Sequence, residues 1–105
     1  MGNFRRKRPV TIEARQLVGG VTNWLDIYQW VESNTDGSFD PLSEEIPASG
    51  VSIDPSDGYL MIANSKGVER ACRGDWIVWG VKDEFYPVRD DLFCAIYEPV
   101  EGDAA

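Results

Sequence analysis

Histidine is missing from this chain of 105 residues, and cysteine is limited to two positions. Without histidine, neither a Ser-His or Cys-His nucleophile nor a histidine-containing zinc site can form. Two cysteines are also too few for a structural zinc tetrahedron or for a disulfide framework. The commonest hydrolytic mechanisms are therefore excluded, and we predict no metal site.

Sequence motifs for nucleotide binding, membrane insertion and export are missing as well. The glycine spacing contains neither G-x-G-x-x-G nor G-x-x-x-x-G-K-[ST], so no dinucleotide or phosphate loop is predicted. No apolar run approaches the roughly 18 residues that cross a bilayer, and polar residues interrupt any signal-peptide core. Cys72 and Cys94 are expected to be small buried hydrophobes in a reducing compartment. We therefore predict a cytoplasmic protein with no cofactor and no membrane partner, and we expect no enzymatic activity.

Basic residues are scarce outside one short segment. Four of the ten lysines and arginines lie at residues 5–8, whereas 18 acidic residues are spread over the chain and the net charge is −8. An acidic body repels phosphates, so nucleic acid is a disfavoured partner. An acidic face that mimics nucleic acid stays open as an alternative. We expect a basic arm at residues 1–8 and a frayed acidic tail at residues 101–105.

The length and the 43% hydrophobic content predict one domain over residues 1–105. Residues 9–18 alternate apolar and polar side chains, which is typical of a half-buried strand. A helix over residues 22–33 follows, capped by Thr22 or Asn23. Its apolar spacing of i, i+3, i+4, i+7 predicts that one face lies on a sheet. That face consists of Trp24, Ile27, Tyr28 and Val31.

Two hairpins are predicted beyond a surface loop at residues 38–50. Turn residues separate strand 59–63 from strand 68–72, and Lys82-Asp83 separates strand 76–81 from strand 84–88. The strand at 76–81 is apolar on both faces, which is typical of a central strand.

Further strands at 51–54 and 93–99 complete the pattern, and we expect the last strand to lie beside the first. The sequence thus predicts an α+β fold. In it, one helix packs on a mostly antiparallel sheet of about five or six strands.

Residues 73–88, RGDWIVWGVKDEFYPV, and the turn after them resemble the signature P-G-D-W-I-I-R-G-V-K-G-E-F-Y-P-C-K-P-D-I-F of a family of small bacteriophage and prophage proteins of unknown function. The start of the chain, FRRKRPVTIEA at residues 4–14, and YEPV at residues 97–100 are similar to the ends of that family. The resemblance implies a phage or prophage origin and action inside a bacterial host cell. It implies no particular reaction.

Apart from conservative exchanges, the chain departs from the family pattern at five positions. The changes are Arg73 for proline, Trp79 for a basic residue, Asp83 for glycine, Val88 for cysteine and Asp90 for proline. Without a cysteine at Val88, no shared chemistry depends on a thiol there. Aspartate at position 83 suggests a tight turn that accepts a left-handed residue. Tryptophan in place of a basic residue suggests that Trp79 faces solvent, whereas Trp76 is expected in the core.

The hairpin at residues 76–88 and the turn after it concentrate aromatic, arginine and carboxylate side chains. Glu84 and Tyr86 share one face of their strand, and Arg89 is within reach of nearby carboxylates. One interpretation is a set of ion pairs worth about 0 to 1 kcal/mol each. The other is a binding patch for a partner or a ligand. The predicted binding residues are Trp79, Lys82, Glu84, Tyr86, Arg89 and Asp91, with no catalytic residue.

Two functions of different classes follow from these residues. The first is a non-catalytic phage accessory protein that binds a bacterial host protein and alters its activity. The second is a small-ligand binder that sequesters a nucleotide-like signal between Trp79, Tyr86 and Arg89. The oligomeric state is not predicted.

Overall fold

The computed structural model of the protein describes residues 11–98. The helices and strands in this range are β1 (Glu13–Gln16), α1 (Val21–Ser33), β2 (Gly50–Ile53), β3 (Leu60–Asn64), β4 (Gly67–Ala71), β5 (Trp76–Trp79), β6 (Phe85–Val88) and α2 (Asp90–Ile96). They confirm the α+β class. Two helices are present instead of one, and the strands form two three-stranded sheets instead of a single sheet. The predicted basic arm (1–8) and acidic tail (101–105) lie outside the described residues.

Both predicted hairpins are confirmed, and each belongs to a different sheet. The first sheet has the order β1-β5-β6 and the second has the order β2-β3-β4, with every neighbouring pair antiparallel. Strand β5 is central, as its two apolar faces predicted. Between the sheets, the chain reverses at residues 72–75. There Gly74 has a φ of 98° and the Asp75 carboxylate accepts the backbone N–H of Cys72 at 2.9 Å.

The end of the chain differs from its predicted structure. Residues 90–96 are helical, so the expected final strand over residues 93–99 is wrong in its described part, and Pro99 lies outside the description. Strand β1 pairs with β5 and not with a C-terminal strand. The helix has a physical basis, because Asp90 and Asp91 occupy its first turn, where negative charge interacts favourably with the helix dipole.

Helix α1 packs as its apolar period predicted. Ile27 and Val31 are buried, whereas Trp24 and Tyr28 are partly buried and pack against the core. The predicted caps are wrong, because the helix begins at residue 21 after Gly20, which has a φ of 84°. Thr22 and Asn23 therefore lie inside its first turn.

The Asn23 side chain bonds backwards along the chain. Its amide oxygen accepts the N–H groups of Val18 and Gly19 at 2.9 and 3.3 Å, and its amide nitrogen donates to the carbonyl of Gln16 at 3.1 Å. These bonds hold the chain between β1 and α1.

One core joins α1 to both sheets. It contains Leu17, Ile27, Trp30, Val31, Val51, Leu60, Ile62, Ala71, Ile77 and Phe85. Because side chains alternate along β5, Trp76 lies on the opposite face from Ile77. Trp76 was expected in the core, but it is half-buried and stacks on Phe93 of α2, with 4.2 Å between ring centroids. Helix α2 therefore covers the far face of the first sheet.

Both cysteines are exposed, which corrects the expectation that they are buried. The irregular segment at residues 39–49 agrees with the predicted loop.

Candidate functional site

The hairpin of β5 and β6 places Trp79 against the core. Its ring stacks on Phe85 with 5.1 Å between centroids and meets Trp30 edge-on at 6.3 Å. Its indole N–H donates to the Asp83 carboxylate at 2.7 Å. The expectation that Trp79 faces solvent is therefore wrong, since the ring is partly buried and its polar atom is already bonded.

The turn of this hairpin runs from Gly80 to Glu84. Asp83 has a φ of 62°, which confirms that aspartate occupies the left-handed region here. The Asp83 N–H donates to the Gly80 carbonyl at 3.0 Å, and the Gly80 N–H donates to the Glu84 carbonyl at 2.8 Å. The turn is thus held by backbone bonds and by the Trp79 indole.

A depression of about 410 Å³, here called the polar cleft, lies between this turn and the turn after β3. Three of the predicted binding residues, Lys82, Glu84 and Tyr86, line it. They share it with Asn64, Ser65 and Lys66 among others. The structure therefore brings half of the predicted site together in one concave place.

Most polar groups in the polar cleft are bonded to one another. The Glu84 carboxylate accepts the Ser65 N–H at 2.7 Å and the Ser65 hydroxyl at 2.8 Å. The buried Asn64 amide donates to the Phe85 carbonyl at 3.0 Å and to the Glu69 carboxylate at 2.7 Å. The bonds of Ser65 to Glu84 and of Asn64 to the Phe85 carbonyl link the two hairpins, whereas the bond between Asn64 and Glu69 lies within the second sheet.

Tyr86 is on the α2 side of its strand, because it alternates with the core residue Phe85. Burial, followed by a hydrogen bond with Tyr97, raises the pKa of Tyr86 to about 12. Its ring lies so close to Gly80 that a Cβ there would be 2.8 Å from the Tyr86 Cε1 atom. Trp79 and Tyr86 therefore face opposite sides of the sheet and do not form one aromatic slot.

Arg89 and Asp91 form a surface ion pair outside the cleft. Their closest N–O distance is 2.7 Å, and the side chains are 76% and 69% exposed. The hydrogen bond from Arg89 lowers the pKa of the Asp91 carboxyl. The predicted pairing of Arg89 with a nearby carboxylate is confirmed, but neither residue lines the cleft. Whether the six predicted residues bind a partner stays a prediction.

A second depression of about 480 Å³, here called the apolar groove, lies between the start of α1 and the hairpin of β3 and β4. Its buried lining includes Leu17, Leu60 and Ala71. Its more exposed lining includes Trp24, Tyr59, Val21 and Arg73. The sequence analysis missed this groove, because its residues come from three separate segments, 17–24, 58–60 and 71–73, and no local pattern links them.

Arg73 lies at the edge of the groove in a fixed orientation. Its Nε–H donates to the Val18 carbonyl at 3.1 Å. A Cβ on Gly19 would be 2.9 Å from this nitrogen, so the missing side chain makes the approach possible. Within residues 11–98, Arg73 has no carboxylate partner, unlike Arg70, which pairs with Asp54 and Asp57.

Across residues 11–98, no group of three histidine, cysteine or acidic side chains is arranged to hold a metal ion. Neither helix in that range is long and apolar enough to cross a membrane. A comparison of the whole chain with protein-family models, curated proteins and solved structures finds no significant match.

Proposed function

We propose that the protein is a binding module that recognises a protein of a bacterial host and alters its activity, and that the apolar groove is its contact surface. One observation carries the proposal. Tryptophan, tyrosine and arginine, the residue types that dominate binding hot spots, meet at a single concave and largely apolar place. They are Trp24, Tyr59 and Arg73.

Exposed apolar side chains extend the groove into a larger surface. Val21 is 82% exposed and Tyr59 is 41% exposed, and both line the groove. Leu25, one helical turn after Val21, is 42% exposed. A contiguous apolar surface of this kind is typical of interaction sites, since covering it removes apolar area from water.

The bacterial partner follows from the resemblance of residues 73–88 to the phage family. Arg73 replaces the proline of the family pattern and borders the groove. The contact surface of this chain therefore carries a positive charge that the family pattern lacks. The hairpin at residues 76–88 then supports the surface from behind, since Ile77 and Phe85 belong to the same core as Leu17 and Leu60.

The test is affinity capture from bacterial lysate with tagged protein, followed by mass spectrometry. Tyr59→Ala and Val21→Ser remove exposed groove side chains, and we expect each to reduce capture of a specific partner at least fivefold without changing the melting temperature much. Leu42→Ser, which removes an exposed apolar side chain outside both depressions, is the control and should capture the same partner. Capture that is unaffected in the Tyr59→Ala Val21→Ser double variant would contradict the proposal.

A second function is supported by the polar cleft. Its volume of about 410 Å³ lies in the range of small-molecule sites. Lys66 and Lys82 line it, and the carboxylates of Glu69 and Glu84 beside them already accept hydrogen bonds from Asn64 and Ser65. This arrangement suits a small anionic ligand such as a nucleotide-like signal. Thermal-shift measurements with nucleotides test it, since a ligand at 100 times its Kd adds about 2.7 kcal/mol of stability. Lys66→Ala Lys82→Ala should remove any such shift.

A further inference from the structure

The apolar groove has one electropositive edge in a protein whose net charge is −8. A guanidinium group carries five N–H donors. The contact between the Arg73 Nε–H and the Val18 carbonyl uses one of them, so the remaining donors keep a fixed direction and are available to an acceptor. An arginine that is ordered before binding loses less entropy on binding, which increases its contribution to affinity.

The start of α1 adds to this positive edge. Its first turn has no acidic residue and its cap provides no side-chain hydrogen bond. Within residues 11–98, the N–H groups of Val21, Thr22 and Asn23 have no acceptor. The partial positive charge of a helix N-terminus therefore has the same sign as the charge of Arg73 and lies along the same groove.

The rest of the groove is apolar. Leu17, Leu60 and Ala71 are at most 5% exposed, and the rings of Trp24 and Tyr59 border the opening. Water inside such a groove has few polar partners, so an apolar side chain displaces it favourably. A sugar would leave its hydroxyl groups unpaired against this apolar lining, and the acidic body would repel a nucleic-acid strand.

We infer that the groove binds a peptide segment of the partner protein in which an apolar side chain lies next to a carboxylate. This inference rests on the proposed function and specifies its partner. The apolar side chain enters between Trp24 and Tyr59, and the carboxylate pairs with the Arg73 guanidinium.

The test selects peptides from a displayed library of random heptapeptides against the wild-type protein. We expect the selected peptides to carry Asp or Glu within two positions of Phe, Trp, Leu, Ile or Met. A selected peptide is then synthesised with a fluorescent label, and its affinity is measured by polarisation. Arg73→Glu should weaken binding at least tenfold, whereas Arg15→Glu, which makes the same charge change on β1 outside the groove, should bind within twofold of wild type.

Val21→Asp separates binding from folding. A carboxylate in the first turn interacts favourably with the helix dipole, so the melting temperature should stay the same or rise. The same carboxylate repels an acidic peptide in the groove, so affinity should fall severalfold. Val21→Lys is the matched control, which should keep or increase affinity and should not raise the melting temperature.

Each of the following results would overturn the inference: a selection that yields no binder, selected peptides without carboxylate enrichment, or Arg73→Glu that binds within twofold of wild type. Tighter binding of a labelled oligonucleotide than of the peptides would overturn it as well. If Tyr59→Ala Val21→Ser loses the captured protein but the selected peptides lack carboxylates, the proposed function stands and only the peptide chemistry is wrong. If that double variant captures the partner normally, the proposed function itself fails.

Discussion

The polar cleft and the apolar groove have similar volumes, about 410 and 480 Å³. They differ in whether their side chains already have bonding partners within the protein. In the cleft, Asn64, Ser65 and Glu84 bond with one another or with the backbone. In the groove, Arg73 keeps donors for an outside acceptor and Val21 is largely exposed. The cleft therefore joins the two sheets, whereas the groove offers unused contact area.

The energetic consequences differ accordingly. A ligand in the polar cleft must replace existing hydrogen bonds, and each buried group left unpaired costs about 1–3 kcal/mol. A partner on the groove instead removes apolar area from water, which gains about 25 cal/mol per Å². A dense set of polar side chains on a hairpin is thus a weaker indication of a binding site than a sparse, exposed apolar surface with one ordered arginine.

The largest expected effect comes from Trp79→Ala, which removes a ring behind the polar cleft. Because Trp79 packs on Phe85 and Trp30, we expect the free energy of unfolding to fall by about 3 kcal/mol. Urea denaturation followed by circular dichroism measures it. Binding through the groove should persist wherever the variant is folded. A change in stability below about 0.5 kcal/mol together with lost binding would identify Trp79 as an anchor and reverse the comparison.

Asn64→Ala tests whether the hydrogen bond from the Asn64 side chain to the Phe85 carbonyl stabilises the contact between the two sheets. The Phe85 carbonyl loses its side-chain donor, and the Glu69 carboxylate loses one as well, so we expect a loss of about 2 kcal/mol in unfolding free energy. The shift of the urea midpoint at constant slope is the measurement. Lys66→Ala, on the same turn but exposed, is the control and should change stability by less than about 0.5 kcal/mol. Equal effects in the two variants would show that the cleft does not join the sheets.

A smaller effect is expected on the pH dependence of the unfolding free energy, through the phenol of Tyr86. The folded protein holds the phenol proton more tightly, since its pKa is raised from 10.0 to about 12. The unfolded state therefore loses this proton first, and the associated stability is complete below pH 10 and is lost as the pH rises towards 12. Unfolding free energies measured across this range should fall more steeply for the wild type than for Tyr86→Phe. Parallel pH profiles for the two proteins would mean that folding does not raise the pKa of Tyr86.

Several features of the fold were predictable from the sequence because their signals are local. The apolar spacing of α1 and the continuous apolar run of β5, bounded by turn residues, each lie within a few residues along the chain. The segment at residues 93–97 was ambiguous. Phe93 and Tyr97 agree with alternation in a strand, but they also lie four residues apart on one face of a helix, and their rings meet at 5.0 Å.

Part of the candidate site was also predictable. Glu84 and Tyr86 were expected on one face, and together with Lys82 they line the polar cleft. The wrong expectation that Trp79 faces solvent came from the basic residue at this position of the family pattern, and strand alternation alone does not show which face of a sheet is buried. Its packing against Trp30 brings together residues 49 positions apart in the sequence, so no local pattern indicates it.

By itself, the sequence determined the α+β class, the two hairpins, the central position of β5 and the acidic charge of the protein. Only the tertiary structure decided that β1 pairs with β5, that the strands divide into two sheets and that Arg73 borders an apolar groove. The physical reason is the range of the interactions. Periodicity and turn chemistry act between neighbours, whereas strand pairing and groove formation depend on which distant apolar faces bury one another.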